Sequence, residues 1–144
     1  MTRIIAGSAG GRRLAVPPGR GTRPTSDRAR EGIFLTLDSL YGLRDARVAD
    51  LYAGSGAVGL ESLSRGAAHA LLVESDPKAV RTIRANMQSL GLDGAELRAD
   101  KVERVLAQSP EEPYDIVFAD PPYALGDGEV TRVLELLRDN GWLT

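Results

Sequence analysis

From residue 47 to residue 139, short apolar runs alternate with stretches of helical period, and few folds accept that alternation. Val48-Ala49-Asp50-Leu51-Tyr52-Ala53, Ala70-Leu71-Leu72-Val73-Glu74, Glu96-Leu97-Arg98-Ala99 and Tyr114-Asp115-Ile116-Val117-Phe118-Ala119 read as strands. Near-continuous apolar character is what a strand covered on both faces requires. The intervening helices run from the Gly54–Gly59 turn through about Arg65, from Pro77 to about Leu90, near 101–108, and from Glu129 to Asp139. Asp76 before Pro77 is a helix cap, and Gly91 is a stop signal. Strands alternating with helices pair in parallel through right-handed crossovers, so the expected architecture is α/β, a doubly wound Rossmann-like sheet. The closing residues Gly141-Trp142-Leu143-Thr144 read as the approach to another strand, so C-terminal strands of such a sheet are expected to be missing.

The first part of the chain is different. Residues 3–24 are rich in Gly, Pro and Arg, with Ile4-Ile5 and Leu14-Ala15-Val16 able to form a short hairpin. Ser26 and Asp27 read as the start of a helix over 27–41. Ile33, Phe34, Leu37 and Leu40 give that helix an apolar face, and Gly42 ends it. Residues 1–30 hold seven arginines and one acid, a net of +6; residues 31–144 hold 11 basic and 19 acidic residues, a net of −8. A basic arm on an acidic body points to a polyanionic partner. The expected division is a basic extension over 1–26, the part that would meet a nucleic acid, and a Rossmann-like domain over 27–144.

Several chemistries are excluded. With no cysteine there is no disulfide, thiolate metal site or thiol nucleophile. The single histidine, His69, reads as a surface residue before a strand and cannot build a metal cluster, so no metal is expected. No apolar run approaches ~20 residues, and the first residues lack the apolar core of a signal peptide. The expectation is a cytoplasmic protein without a membrane span or an evident obligate protein partner.

Ligands of such sheets bind at the carboxyl ends of the strands, where the candidate residues collect. Gly54-x-Gly56-x-x-Gly59 follows a strand and opens a helix, as a loop that approaches a ligand closely would. Glu74 lies 20 residues after Gly54 at the end of the second strand, where a carboxylate can accept from two ribose hydroxyls. These features fit a nucleoside cofactor without separating NAD from S-adenosylmethionine. Asp120-Pro121-Pro122-Tyr123 separates them. An exocyclic base amine is a poor nucleophile, because its lone pair is delocalised into the ring. A carboxylate and a proline carbonyl can accept its two hydrogens and aim the lone pair at a methyl sulfonium. Proline stiffens the acceptors in place, and Tyr123 offers a face for the target base, a stack worth ~1–3 kcal/mol.

Asp-Pro-Pro-Tyr after this glycine loop resembles the amino-group methyltransferases. Arg3-Ile4-Ile5-Ala6-Gly7, Gly11-Arg12-Arg13-Leu14, and the block from Thr22-Arg23-Pro24-Thr25 to Glu31 narrow the likeness to the bacterial RsmD family. Asp50-Leu51-Tyr52-Ala53-Gly54-Ser55-Gly56 and Val73-Glu74 continue it, so that the resemblance covers almost the whole chain. It implies S-adenosylmethionine-dependent methylation of N2 of one guanine, guanine 966, in 16S ribosomal RNA, within a small-subunit assembly particle. It implies a cofactor pocket of Asp50, Ala53, Gly54, Ser55, Gly56 and Glu74, with Asp100 near the adenine. Asp100 can equally serve only the start of the helix that follows it. Arg3, Arg12, Arg13, Arg23 and Arg28 become RNA contacts, with Arg28 and Arg30 alternatively paired within their own helix.

Other readings account for less. A nicotinamide oxidoreductase uses the glycine loop and Glu74 but leaves Asp120–Tyr123 and the arm idle. A non-catalytic RNA-binding module leaves the cofactor features unused. Methylation of DNA adenine N6 or of a protein amide uses the tetrapeptide equally well.

Overall fold

The computed structural model describes residues 2–16, 27–121 and 126–144. The elements run α1 (Asp27–Leu40), β1 (Arg47–Leu51), α2 (Ala57–Ser64), β2 (His69–Glu74), α3 (Pro77–Leu90), β3 (Ala95–Ala99), α4 (Val102–Leu106), β4 (Ile116–Ala119) and α5 (Asp127–Asp139). All the strand pairings are parallel, in the order β3-β2-β1-β4. This is the expected doubly wound α/β sheet.

Side-chain alternation along the two central strands sorts the helices onto the two faces. Val48, Ala70 and Leu72 point into a core shared with Phe34 of α1, Leu60 and Leu63 of α2, and Ile83 and Leu90 of α3. Ala49, Leu51, Leu71 and Val73 point the other way, against Val102, Val105 and Leu106 of α4 and Val133, Leu136 and Leu137 of α5. Asp50 alternates with Val48, so it faces the α2 side, and it is buried there.

The arm before α1 is not a loose tail. Ile4 and Leu14 are buried in the first core, and Arg3 pairs with Arg13 in an antiparallel bridge, the hairpin expected from the sequence. Glu61 of α2 holds this segment: it accepts from the Ile5 and Ala6 amides at 2.7 and 3.1 Å and from Arg65 Nε at 2.8 Å. Arg30, wholly buried on α1, lies 3.4 Å from Glu61 and donates to the Arg3 carbonyl at 2.7 Å.

Among the boundaries and faces that differ from expectation, four bear on the packing. The inward face of α1 is Arg30, Phe34 and Leu37, whereas Ile33 and Leu40 are exposed. Glu61 draws the Arg30 guanidinium inward and so turns the helix. β1 stops at Leu51 because Tyr52 adopts a left-handed φ of 59°. β4 starts at Ile116; Tyr114 instead forms an isolated parallel bridge with Leu143 beside the sheet. His69 is not a surface residue before a strand. It opens β2 half-buried, 3.1 Å from the Tyr114 hydroxyl and 3.4 Å from Glu96, and burial together with Arg47 lowers its pKa.

Candidate cofactor and catalytic site

Register brings the candidate residues together. Leu51 of β1 is level with Val73 of β2 and with Ala119 of β4, and Glu74 is level with Ala99 of β3. The residues that follow these positions therefore emerge along one edge of the sheet: Tyr52-Ala53-Gly54 in the centre, Glu74 and Asp100 to one side, Asp120 to the other. Ser26, Arg23, Pro122 and Tyr123 lie outside the described residues. The Pro121 ring, next to Asp120, is half-buried.

The loop between β1 and α2 is built on two left-handed glycines, Gly54 at φ 62° and Gly56 at φ 83°. Tyr52 holds a third left-handed conformation, at a position where an aromatic residue rarely does. The loop stays tied to β2 through Ala53 N–H, which donates to the Val73 carbonyl at 3.0 Å. Open space surrounds Gly54 on the side where a Cβ would stand. At Gly59 the opposite holds: a Cβ would overlap the Leu72 side chain, so glycine there lets α2 lie close on the sheet.

The carboxylates divide the work. Glu74 Oε1 accepts from Gly54 N–H at 2.8 Å, while Oε2 accepts from the Ser75 and Asp76 amides at 3.1 and 3.0 Å. Glu74 thus fixes the glycine loop from the end of β2. Asp50 Oδ2 accepts from Gly59 N–H at 2.9 Å, placing a carboxylate against the first turn of α2. Burial pushes the Asp50 pKa up to about 7; the Gly59 hydrogen bond opposes this, and the Glu74 and Asp120 charges add to it. That Asp120 acts on Asp50 ties the β4 end electrostatically to the glycine loop. Asp100 Oδ1 accepts from Lys101 N–H at 2.8 Å and lies 3.4 Å from Arg104, so it serves the start of α4 in this structure.

This donor set has a chemical preference. A dinucleotide places its diphosphate at the first turn of the helix after the glycine loop. Here the Gly59 N–H of that turn is already taken by the buried Asp50 side chain, and the Glu74 and Asp120 carboxylates stand close enough to act on it. Those two acids repel an anion and favour a cation. S-adenosylmethionine carries a sulfonium and an ammonium, and its ribose hydroxyls can donate to a carboxylate such as Glu74, so the residues fit that group better than they fit NAD. Among the described residues no cluster of acids and histidines could hold a metal ion.

The predicted RNA contacts Arg3, Arg12, Arg13 and Arg28 are exposed, the first three on the docked arm. Arg12 donates to the Ser89 carbonyl at 2.6 Å. Two polar residues in this region had escaped the sequence reading: Glu61 and Asn86, both buried in helices. Glu61 interrupts the apolar run of α2, and Asn86 falls at helical spacing with Ile83 and Leu90. Those placements were the available signal.

Comparison with known proteins identifies the family. The model of a family described as conserved hypothetical protein 95 matches residues 2–144. Ribosomal RNA small subunit methyltransferase D of Escherichia coli K12 is 44% identical over 141 residues, spanning 98% of this chain and 69% of the relative. The solved structure of Escherichia coli yhhF superposes with a TM-score of 0.86 at 40% identity, over 99% of this chain and 74% of that one. A structure of a hypothetical protein from Thermus thermophilus gives a TM-score of 0.84 at 40% identity, over 94% and 78%. Sequence and fold agree: the chain belongs to the RsmD family of ribosomal RNA small subunit methyltransferases.

Proposed function

We propose that this chain binds S-adenosylmethionine at the glycine loop and methylates an exocyclic amino nitrogen of ribosomal RNA, N2 of a guanine in 16S RNA. The observation that carries the reading is the convergence of the Gly54–Gly56 loop, Glu74 and Asp120 at one edge of a parallel sheet. The specific guanine, guanine 966, and the small-subunit assembly particle follow from the family resemblance.

When bound, S-adenosylmethionine supplies an electrophilic methyl group on a cationic sulfonium. The chain's own residues hold and orient the reactants. Glu74 braces the loop and takes the ribose side, Asp50 supports the loop from beneath, and Asp100 is assigned to the adenine side. Ala53 and Ser55 complete the loop's lining. Asp120, exposed at the end of β4, accepts a hydrogen from the target amine and so counters delocalisation of its lone pair. The carbonyl of Pro121 or Pro122 is the second acceptor, and Tyr123 the stacking face. Arg3, Arg12, Arg13, Arg23 and Arg28, on or beside the basic extension over 1–26, are assigned to RNA phosphates. An acidic body needs such an arm to approach a polyanion at all. The cytoplasm, where ribosomes are assembled, is the compartment this reading requires.

The test is Asp120→Ala, assayed with labelled S-adenosylmethionine, 16S RNA and small-subunit particles, followed by nucleoside analysis. Losing one preorganised acceptor should slow transfer by ~100-fold or more while leaving cofactor affinity near wild type. Near-normal turnover would remove Asp120 from catalysis. A product other than N2-methylguanosine would reassign the substrate.

A further inference from the structure

Asn86 sits on α3, only 2% exposed, between two segments that are far apart in sequence. Its Oδ1 accepts from Ala15 N–H at 2.8 Å, and its Nδ2 donates to the Ala15 carbonyl at 3.0 Å. The same Nδ2 donates to the Ser55 carbonyl at 2.9 Å. A side-chain amide has one carbonyl acceptor and two N–H donors, and here both donors and the acceptor are engaged. Toward Ala15 the amide behaves like one residue of a β-ladder. Toward Ser55 it holds the middle residue of the glycine loop. Ala15 belongs to the arm and follows Arg12 and Arg13 closely; Arg12 reaches the Ser89 carbonyl one turn further along the same helix.

We infer that Asn86 is a positioning residue that couples the arginine-bearing arm to the glycine loop, so that cofactor binding and RNA binding strengthen one another. The inference rests on the function proposed for both segments. If either segment moves alone, a buried polar group of Asn86 loses its partner, a cost that keeps the two segments together. Restraining the loop around a cofactor therefore also restrains Ala15 and the arginines before it. RNA then meets a docked arm with less residual motion to lose, which gives positive cooperativity without a new contact between the ligands. The effect is reciprocal: whatever factor the cofactor adds to RNA affinity, RNA adds to cofactor affinity. A second route runs in parallel. Ser64, on the helix that the loop opens, accepts from Ser8 N–H at 2.8 Å through its carbonyl and from Ala9 N–H at 2.9 Å through Oγ. Of these two routes from the arm, the one through Asn86 reaches the loop itself.

The test compares wild type, Asn86→Ala and Met87→Ala. Met87 is a half-buried neighbour on α3, so its variant controls for loss of packing without removing the amide. Affinity for S-adenosylhomocysteine is measured by calorimetry with and without a short stem–loop RNA carrying an unpaired guanine. In wild type the RNA should tighten S-adenosylhomocysteine about 5-fold or more, within the usual range of such couplings. Asn86→Ala should bring that factor close to one, and Met87→Ala should keep it. A factor of one in wild type, or an unchanged factor in Asn86→Ala, overturns the coupling. Absence of S-adenosylhomocysteine binding by wild type would instead overturn the proposed function. Hydrogen exchange without ligand then decides whether the link exists. Asn86→Ala should speed exchange in both 12–16 and 53–56 beyond the change seen in Met87→Ala. Faster exchange in the arm alone would overturn the link.

Discussion

Asp50→Asn should abolish a pH dependence of stability that the wild-type site imposes. Asp50 is buried against α2, and its pKa is pushed from the ordinary 3.8 up to about 7, first by burial and then by Glu74 and Asp120. The folded protein therefore holds a proton that the unfolded chain releases. A raised carboxyl pKa contributes stability that is complete below the unfolded value and is lost as pH rises through the folded one. At 1.36 kcal/mol per pH unit, the loss between pH 4 and pH 7 amounts to about 4 kcal/mol, a large share of the 5–15 kcal/mol typical of a domain. Asparagine keeps an oxygen for Gly59 N–H but carries no charge at any pH. Urea unfolding followed by Trp142 provides the assay, since this single tryptophan is buried and stacks on Tyr114 at 5.7 Å. Measured every half unit from pH 4 to pH 8, wild-type stability minus variant stability should fall steadily by up to ~4 kcal/mol. Titrating groups that do not act on Asp50 are common to both proteins and cancel in the difference, which leaves Asp50 with its Glu74 and Asp120 neighbours. Parallel curves across this window would refute the argument and show that Asp50 titrates normally.

Three further outcomes are expected. Glu74→Ala should weaken both S-adenosylmethionine and S-adenosylhomocysteine by roughly 10–100-fold, since the ribose is common to both and a charged hydrogen bond is worth ~1.5–3 kcal/mol; equal calorimetric affinities in variant and wild type would remove Glu74 from the pocket. Tyr123→Phe should retain most methyl transfer and Tyr123→Ala should lose it, because a base stack needs the ring and not the hydroxyl; equal losses would assign a role to the hydroxyl. Neutralising Arg12, Arg13 and Arg23 together should shallow the slope of log RNA affinity against log salt by about 2–3 with unchanged cofactor affinity. A lowered melting temperature with the salt slope retained would show that these arginines serve the fold.

The centre of the sheet was readable because β1 and β2 are covered on both faces and so stay apolar along their length; Ala70 to Val73 left no other reading. The glycine loop and Glu74 were readable for a similar reason, since backbone conformation and strand-end position restrict residue choice there. What stayed hidden depended on partners distant in sequence. Glu61 looks like a helix-surface acid until the Ile5 and Ala6 amides and Arg30 are placed around it. Arg30 looks like part of a solvated basic stripe for the same reason, so the apolar face of α1 reads as Ile33, Phe34, Leu37 and Leu40, of which Phe34 and Leu37 do face the core. Tyr52 continues an apolar run, and nothing in its composition signals the left-handed turn that ends β1.

The docking of the arm also sets an order of events during synthesis. Ile5 waits for Glu61, 56 residues later, and Arg12 for Ser89, 77 residues later. At ~5–20 residues per second, the interval before Ser89 follows Arg12 is roughly 4–15 s. Within it, helix formation, complete in about a microsecond, has ample time in α1 and α2, but the arm has no α3 to lie on. The most basic stretch of the chain is thus made before the elements that seat it. Its seating depends on long-range closure, the slow kind of contact in folding.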